Sequence, residues 1–300
     1  MNDDIEMTLR AGAWEATVAP LGAALRGLTR VGEPVATLYH GKQNKQGSQG
    51  DVLIPFPGRV GGASYTWEST HYTLPQNDKD GPNAIHGFLR SANFRVSEQS
   101  ASTATFTLAF PGGEGYPFAL TVQIAYSLSE SGLWCTFSLT NTGTTAAPVA
   151  AGFHPYFTVG SALVDLDTLT LPFDDVLEME HFIPTGKIFS VAEAGLDFRE
   201  PAVIGSRVLN HCFLSPRRDT DGLCRVVLTG AQRTVSVWMD RAFDYVVLYT
   251  GENMPPHLRR ASLAIEPMTC GSDAFNHPEW GLVRLEPGAS VSGRWGVSEE

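Results

Sequence analysis

Along much of the chain, apolar and polar residues alternate with a period of two. The runs TATFTLAF (103–110), LTVQIAYSL (120–128), LWCTFSLTN (133–141) and RTVSVWMD (233–240) show this most clearly. Their β-branched and aromatic residues suit a pleated surface buried on one face, so each run predicts a strand. Turn chemistry punctuates the runs at Pro111-Gly112-Gly113, Asn141-Thr142-Gly143, Asp221-Gly222 and Pro287-Gly288. No long amphipathic helix emerges. Thirty glycines and nineteen prolines fit many short strands joined by turns. The pattern predicts an all-β protein built of packed antiparallel sheets.

The 300 residues suffice for a sizeable core in one large domain or two ordinary ones. The polar stretch GKQNKQGSQG (41–50) has the composition of a linker. The strand pattern before it is too short for a separate core, so it reads as a loop inside a single domain spanning 1–300. With 43% hydrophobic and 18% charged residues, the chain has a globular composition.

Charge narrows the partners. The formal net charge is -11, and the basic residues form no run longer than Arg217-Arg218 or Arg259-Arg260. Nucleic acid and anionic membrane are poor partners for such a surface. No apolar run reaches the length of a membrane span. The acidic start MNDDIEMTLR lacks the pattern of a secretory signal, which makes the cytoplasm the expected location. Cys135, Cys212, Cys224 and Cys270 are scattered without a CxxC pair and read as buried free thiols.

Four segments carry candidate chemistry. In AGFHPYF (151–157), Pro155 restricts His154 to extended backbone. Alternation then puts His154 and Tyr156 on one face and Phe153 and Phe157 on the other. Proline cannot donate to a ladder, so the segment reads as a strand end or edge, where a histidine is both rigid and reachable. In GPNAIHGFLR (81–90), Gly87 after His86 permits close backbone approach or an unusual dihedral. In LAIEPMTCGSDAFN (263–276), Glu266 interrupts an apolar strand and precedes Pro267, again suggesting a strand end. A carboxylate there needs partners or a cleft. In IPFPGRVGG (54–62), the Arg59 guanidinium could fork to vicinal hydroxyls or to a carboxylate. Taken singly, each has an ordinary structural explanation: a histidine bonded to a carbonyl, a turn histidine, an edge glutamate, a surface arginine.

In order, the chain shows PGRVGGASYTW, LPQND, NAIHGF, GFHPYF, IPTGKI, LNHCF, IEPMT, AFN and LEPG. In combination this resembles the aldose 1-epimerase (galactose mutarotase) family, from about Arg59 to Gly288. The resemblance implies a large antiparallel β-sandwich of the galactose mutarotase-like supersandwich type. It implies interconversion of the α and β anomers of a free aldose such as galactose or glucose, without cofactor or metal. It also implies Glu266 as general base, His154 as general acid, and His86, Arg59 and residue 210 as substrate-binding positions. Residue 210 departs from the family pattern: Asn210 stands where an aspartate is common. Asparagine keeps an acceptor, loses the charge and gains a donor, which bears on which sugar is preferred. Deoxy, sulfonated and uronic sugars therefore stay open, and a monomer or homodimer is expected.

The chemistry suits those residues. Opening a pyranose ring removes a proton from the anomeric hydroxyl and delivers one to the ring oxygen. A carboxylate and an imidazolium on opposite sides of the sugar, each helping to keep the other charged, accomplish both, and each positioned group contributes about 10²–10⁴-fold. Three alternatives stand beside this reading. One is a hexose-6-phosphate epimerase using Arg59 and Arg90. Another is a non-catalytic sugar-binding module, supported only by Asn210. The third is a metal enzyme built on His86, His154 and Glu266, for which the spacing offers no short ligand pair.

Overall fold

The computed structural model describes residues 4–299. Among them, a 12-stranded sheet, a 9-stranded sheet and three two-stranded ribbons account for the strands. Helical segments are single 3-10 turns, such as Lys42–Asn44 and Leu89–Ser91. Paired strands run antiparallel in both sheets. The four periodic runs all fall in the 9-stranded sheet, as Thr103–Phe110, Leu120–Ser129, Gly132–Asn141 and Thr234–Met239. Their alternation is the alternation of burial: Leu120, Val122, Ile124, Tyr126 and Leu128 point into the core, and the residues between them do not.

The 12-stranded sheet packs against that inner face. Phe153, from this sheet, sits 6.2 Å from Phe137 and 5.5 Å from Trp295 of the other, ring centre to ring centre. Across the same layer the Tyr126 hydroxyl donates to the Ala23 carbonyl at 2.8 Å. Fully burying a side chain such as Phe137 or Phe153 contributes about 1.5–3 kcal/mol, so this aromatic layer is a main source of cohesion. Together the sheets form the antiparallel β-sandwich expected.

The strand Leu263–Met268 runs through the interior of the larger sheet. Tyr245–Tyr249 pairs with it on one side; the short strands Gly152–Phe153 and Tyr156–Phe157 pair with it on the other. All six of its residues are buried, because one face meets the core and the other floors a cavity. That double burial explains why LAIEPM shows no alternation. The loop 41–50 lies on this same sheet, with Gly50 N donating to His154 O at 2.9 Å. All four cysteines are unpaired and buried. Among the described residues, no helix is long and apolar enough to cross a membrane.

Candidate active site

Strand register brings the first two candidate residues together. Tyr156 faces Ala264 and Gly152 faces Met268 across the same ladder. One register satisfies both pairs, and it places His154 directly opposite Glu266. The odd-numbered amides of the long strand point toward this partner: Ile265 N donates to Pro155 O at 3.3 Å and Thr269 N to Ala151 O at 2.9 Å. His154 and Glu266 are therefore a non-hydrogen-bonded pair, the kind in which facing side chains come closest. His154 Nε2 lies 3.3 Å from Glu266 Oε1.

The expected strand end holds for His154, which follows the two-residue strand Gly152–Phe153; it is corrected for Glu266, which lies within Leu263–Met268, and neither residue is on a sheet edge. Both have paired backbone on either side. The pair Pro155–Ile265 and the pair Phe153–Pro267 flank them, and each contains one proline, so each can form only one ladder bond instead of two. The two missing donors face one another in a single gap, which lets proline occupy a sheet interior.

On its other side His154 faces Asp51. Gly152 pairs with Leu53 and Phe153 with Val52, and His154 N donates to Asp51 O at 3.0 Å. Beyond Glu266 the row continues through Val247 to Cys212. Two residues along, a parallel row holds Tyr156, Ala264, Tyr249 and Asn210. Except for small Ala264, both rows line a cavity of about 650 Å³, a size usual for small-molecule sites. Phe153 and Phe157 point into the core from the opposite face, as alternation requires. The His154 ring stacks on Tyr156 at 5.0 Å, and the Tyr156 hydroxyl is fixed by Gly47 O at 2.7 Å.

His86 and Arg59 arrive on a separate ribbon, Arg59–Val60 paired with Ala84–Ile85. His86 N donates to Gly58 O at 2.9 Å, and the ring meets His154 edge to face at 5.4 Å. His86 has φ +64° and Gly87 φ +63°. Such a dihedral strains any residue with a Cβ, and strain of this kind collects where a side chain must be aimed. At Gly87 the backbone also touches the sheet: a Cβ would lie 2.0 Å from Ile54 O. Both uses read from the glycine in the sequence are present. Of the two roles open to Arg59, the structure displays the carboxylate fork. Its Nε reaches Asp78 Oδ2 at 2.7 Å and its Nη2 reaches Asp80 Oδ2 at 3.3 Å.

Burial governs the charges. It pushes the Glu266 carboxyl well above its ordinary range, against the pull of Arg59. It pushes His154 down to about 3, and the positive charges of Arg90 and Lys45 act the same way. His86 is driven well down, chiefly by burial and then by His154. The sequence led us to expect an ionised Glu266 and a protonated His154, each supporting the other. On this floor, burial works against a charge on either group. Both shifts favour the uncharged forms, a carboxylic acid beside a neutral imidazole.

Comparison with known proteins fits this geometry. The aldose 1-epimerase family model matches residues 6–298. The chain belongs to the aldose 1-epimerase family. A protein of Escherichia coli named YihR, described as uncharacterized, is 34% identical over 272 residues, covering 90% of this chain and 85% of its own. The galactose mutarotase of Bos taurus is 28% identical over 271 residues, covering 83% and 78%. A solved structure of a GalM/aldose epimerase homologue from Caenorhabditis elegans superposes with TM-score 0.87 at 20% identity, over 99% of each chain. The chain is thus an isomerase of the aldose 1-epimerase family, on the fold that family uses.

All five candidate residues of this epimerase line the one cavity: Arg59, His86, His154, Asn210 and Glu266. Asn210 opens the strand Asn210–Pro216, opposite Tyr249, and is half-buried. Among the described residues, its carboxamide has no hydrogen-bond partner in the protein. His86, His154 and Glu266 do not form a three-ligand metal arrangement among those residues. Sequence reasoning missed Asp51 and Lys45, which also line the cavity. The available signal was a lone carboxylate at the head of the apolar run Val52-Leu53-Ile54.

Proposed function

We propose that the protein is a mutarotase that opens and recloses the ring of a free aldose, of the galactose or glucose type. One observation carries the reading: the register that sets His154 opposite Glu266, at 3.3 Å, on a cavity floor. The anomeric oxygen and the ring oxygen are bonded to the same carbon. Two groups in mutual contact can therefore reach both from one side. They need not flank the sugar, as the sequence reading had it.

A shift of one proton across the contact converts the uncharged pair to glutamate and imidazolium. Glu266 then takes the proton of the anomeric hydroxyl. The C1–O1 bond becomes a carbonyl, the C1–O5 bond breaks, and His154 delivers its proton to O5. Rotation about C1–C2 presents the other face of the aldehyde, and the steps run in reverse. The pair ends with the single proton it began with. His86 holds the ring-oxygen region, while Arg59 and Asn210 bind hydroxyls. Arg59 keeps Nη1 for this, since its Nε and Nη2 engage Asp78 and Asp80. For the same reason it is poorly placed to clamp a phosphate with Arg90, and we rank the free aldose above a 6-phosphate. The unpaired buried thiols suit a reducing compartment, and we place the enzyme in the cytoplasm.

Polarimetry of fresh α-anomers tests the reading. The panel spans neutral, deoxy, uronic, sulfonated and 6-phosphorylated aldoses. The wild type should speed the approach to equilibrium, and His154→Gln and Glu266→Gln should each lose about 10²–10⁴-fold. Wild-type rates in both variants would refute the assignment. An Asn210→Asp variant should reorder the preferred sugars while leaving the best of them rapidly converted.

A further inference from the structure

Asp51 is a buried carboxylate beside His154 that the mechanism above does not use. Only 1% of it is exposed, and it heads the apolar run Val52-Leu53-Ile54. Its Oδ1 meets Lys45 Nζ at 2.7 Å. Among the described residues, its Oδ2 has no partner in the protein. The side chain nonetheless lines the cavity, because the register that places it opposite His154 turns both to the same face. A buried acceptor left unpaired is costly unless something supplies a donor. In this cavity the natural donor is a hydroxyl of the sugar.

We infer that Asp51 is a further substrate-contacting residue that sets specificity: its free oxygen accepts a hydrogen bond from the sugar hydroxyl on the ring-oxygen side, the exocyclic C6 hydroxyl. The inference rests on the mutarotase reading above. The order along the row is Glu266, His154, Asp51. With Glu266 at the anomeric oxygen and His154 at the ring oxygen, the next polar atom beyond the ring oxygen belongs to C6. Lys45, from the loop 41–50, holds the carboxylate in place and favours its charged form against the burial that opposes it. The acceptor charge that Asn210 lacks at one end of the floor is present at the other.

The test compares the best aldohexose with its 6-deoxy analogue, by polarimetric saturation kinetics on wild type, Asp51→Asn and Lys45→Met. A hydrogen bond to a charged group is worth about 10–100-fold. Wild type should therefore favour the parent over the 6-deoxy sugar by that ratio in kcat/KM. In Asp51→Asn, which keeps an acceptor but loses the charge, the ratio should fall to that of a neutral hydrogen bond, about 2–10-fold. The parent sugar should lose more than the 6-deoxy sugar. If Asp51→Asn does not fold, the same collapse read in Lys45→Met decides. A wild type indifferent to the 6-hydroxyl, or a ratio unchanged in the variants, overturns the inference. Neither result touches the mutarotase reading, which is tested by whether the wild type converts an aldose and by the His154→Gln and Glu266→Gln variants.

Discussion

Gly87→Ala separates two costs that the structure stacks on one residue. The first is conformational. Gly87 has φ +63°, where an alanine is disfavoured by about 1–2 kcal/mol. The second is steric. The added Cβ would meet Ile54 O at 2.0 Å, Ile54 C at 2.4 Å and Pro55 N at 2.9 Å. All three are backbone atoms, and Ile54 O already accepts from Phe88 N at 2.9 Å, so nothing nearby can swing away. Gly195 is the control: its φ is +69°, and no atom lies within 4 Å of where its Cβ would stand. Gly195→Ala should thus lose about 1–2 kcal/mol in urea unfolding. Gly87→Ala should lose at least about 2 kcal/mol more, because relieving the overlap means moving the ribbon off the sheet. The same movement displaces His86 from its edge-to-face contact with His154. A displacement near 1 Å can cost about 10²-fold in rate, and the Gly195 variant should show none of it. Equal unfolding losses in the two variants would refute the close-approach argument. A destabilised Gly87→Ala with wild-type polarimetric rates would refute the claim that this glycine aims the histidine.

Two pH experiments follow from the buried row. In the proposed mechanism the pair His154–Glu266 works with one proton, so kcat/KM should fall when a second is added and when the last is removed. With His154 depressed to about 3 and Glu266 raised well above its ordinary range, the profile should be a broad-topped bell; an acid limb near 6.5, the value of an ordinary histidine, would contradict it. Asp51 is raised by burial from 3.8 to about 6, so the folded state prefers it protonated, and this contribution to stability is complete below pH 3.8 and lost as pH rises through about 6. Asp51→Asn should then be more stable than wild type at pH 7 by about 2–3 kcal/mol, less whatever Lys45 loses, with the gain vanishing near pH 4; an equal gain at both pH values would rule out the titration as its source.

The half of the sandwich that faces solvent on one side was legible from alternation alone. Thr103–Phe110 matches its periodic run residue for residue. The half that carries the site was not, because LAIEPM and VLIP are buried on both faces and lose their period. Proline misled in a specific way. Pro155 and Pro267 each look like an edge residue when read alone, and only their mutual placement shows a shared gap inside the sheet. The candidate residues were found through the order of motifs, since register is a long-range property that no local spacing reveals. Asp51 had no motif, and at the head of an apolar run it looks like any turn aspartate.

The row Asp51, His154, Glu266 is an unusual thing to put across the middle of a sheet. Three titratable groups lie side by side with almost no exposure, and burial works against the charge on each. Such a row persists only if the strands that carry it are held from elsewhere. Here the opposite face of the same strands supplies the cohesion: Phe153, adjacent to His154, packs against Phe137, Phe243 and Trp295. Removing an aromatic of this kind typically costs about 3–5 kcal/mol, comparable with the penalty of one buried charge. Each strand thus joins a strongly cohesive face to a costly one, residue by residue, through the period of two. The interior of a sheet offers what an edge cannot, neighbours on both sides that fix a side chain's direction. The price is desolvation, which here also favours the single shared proton that the proposed mechanism uses.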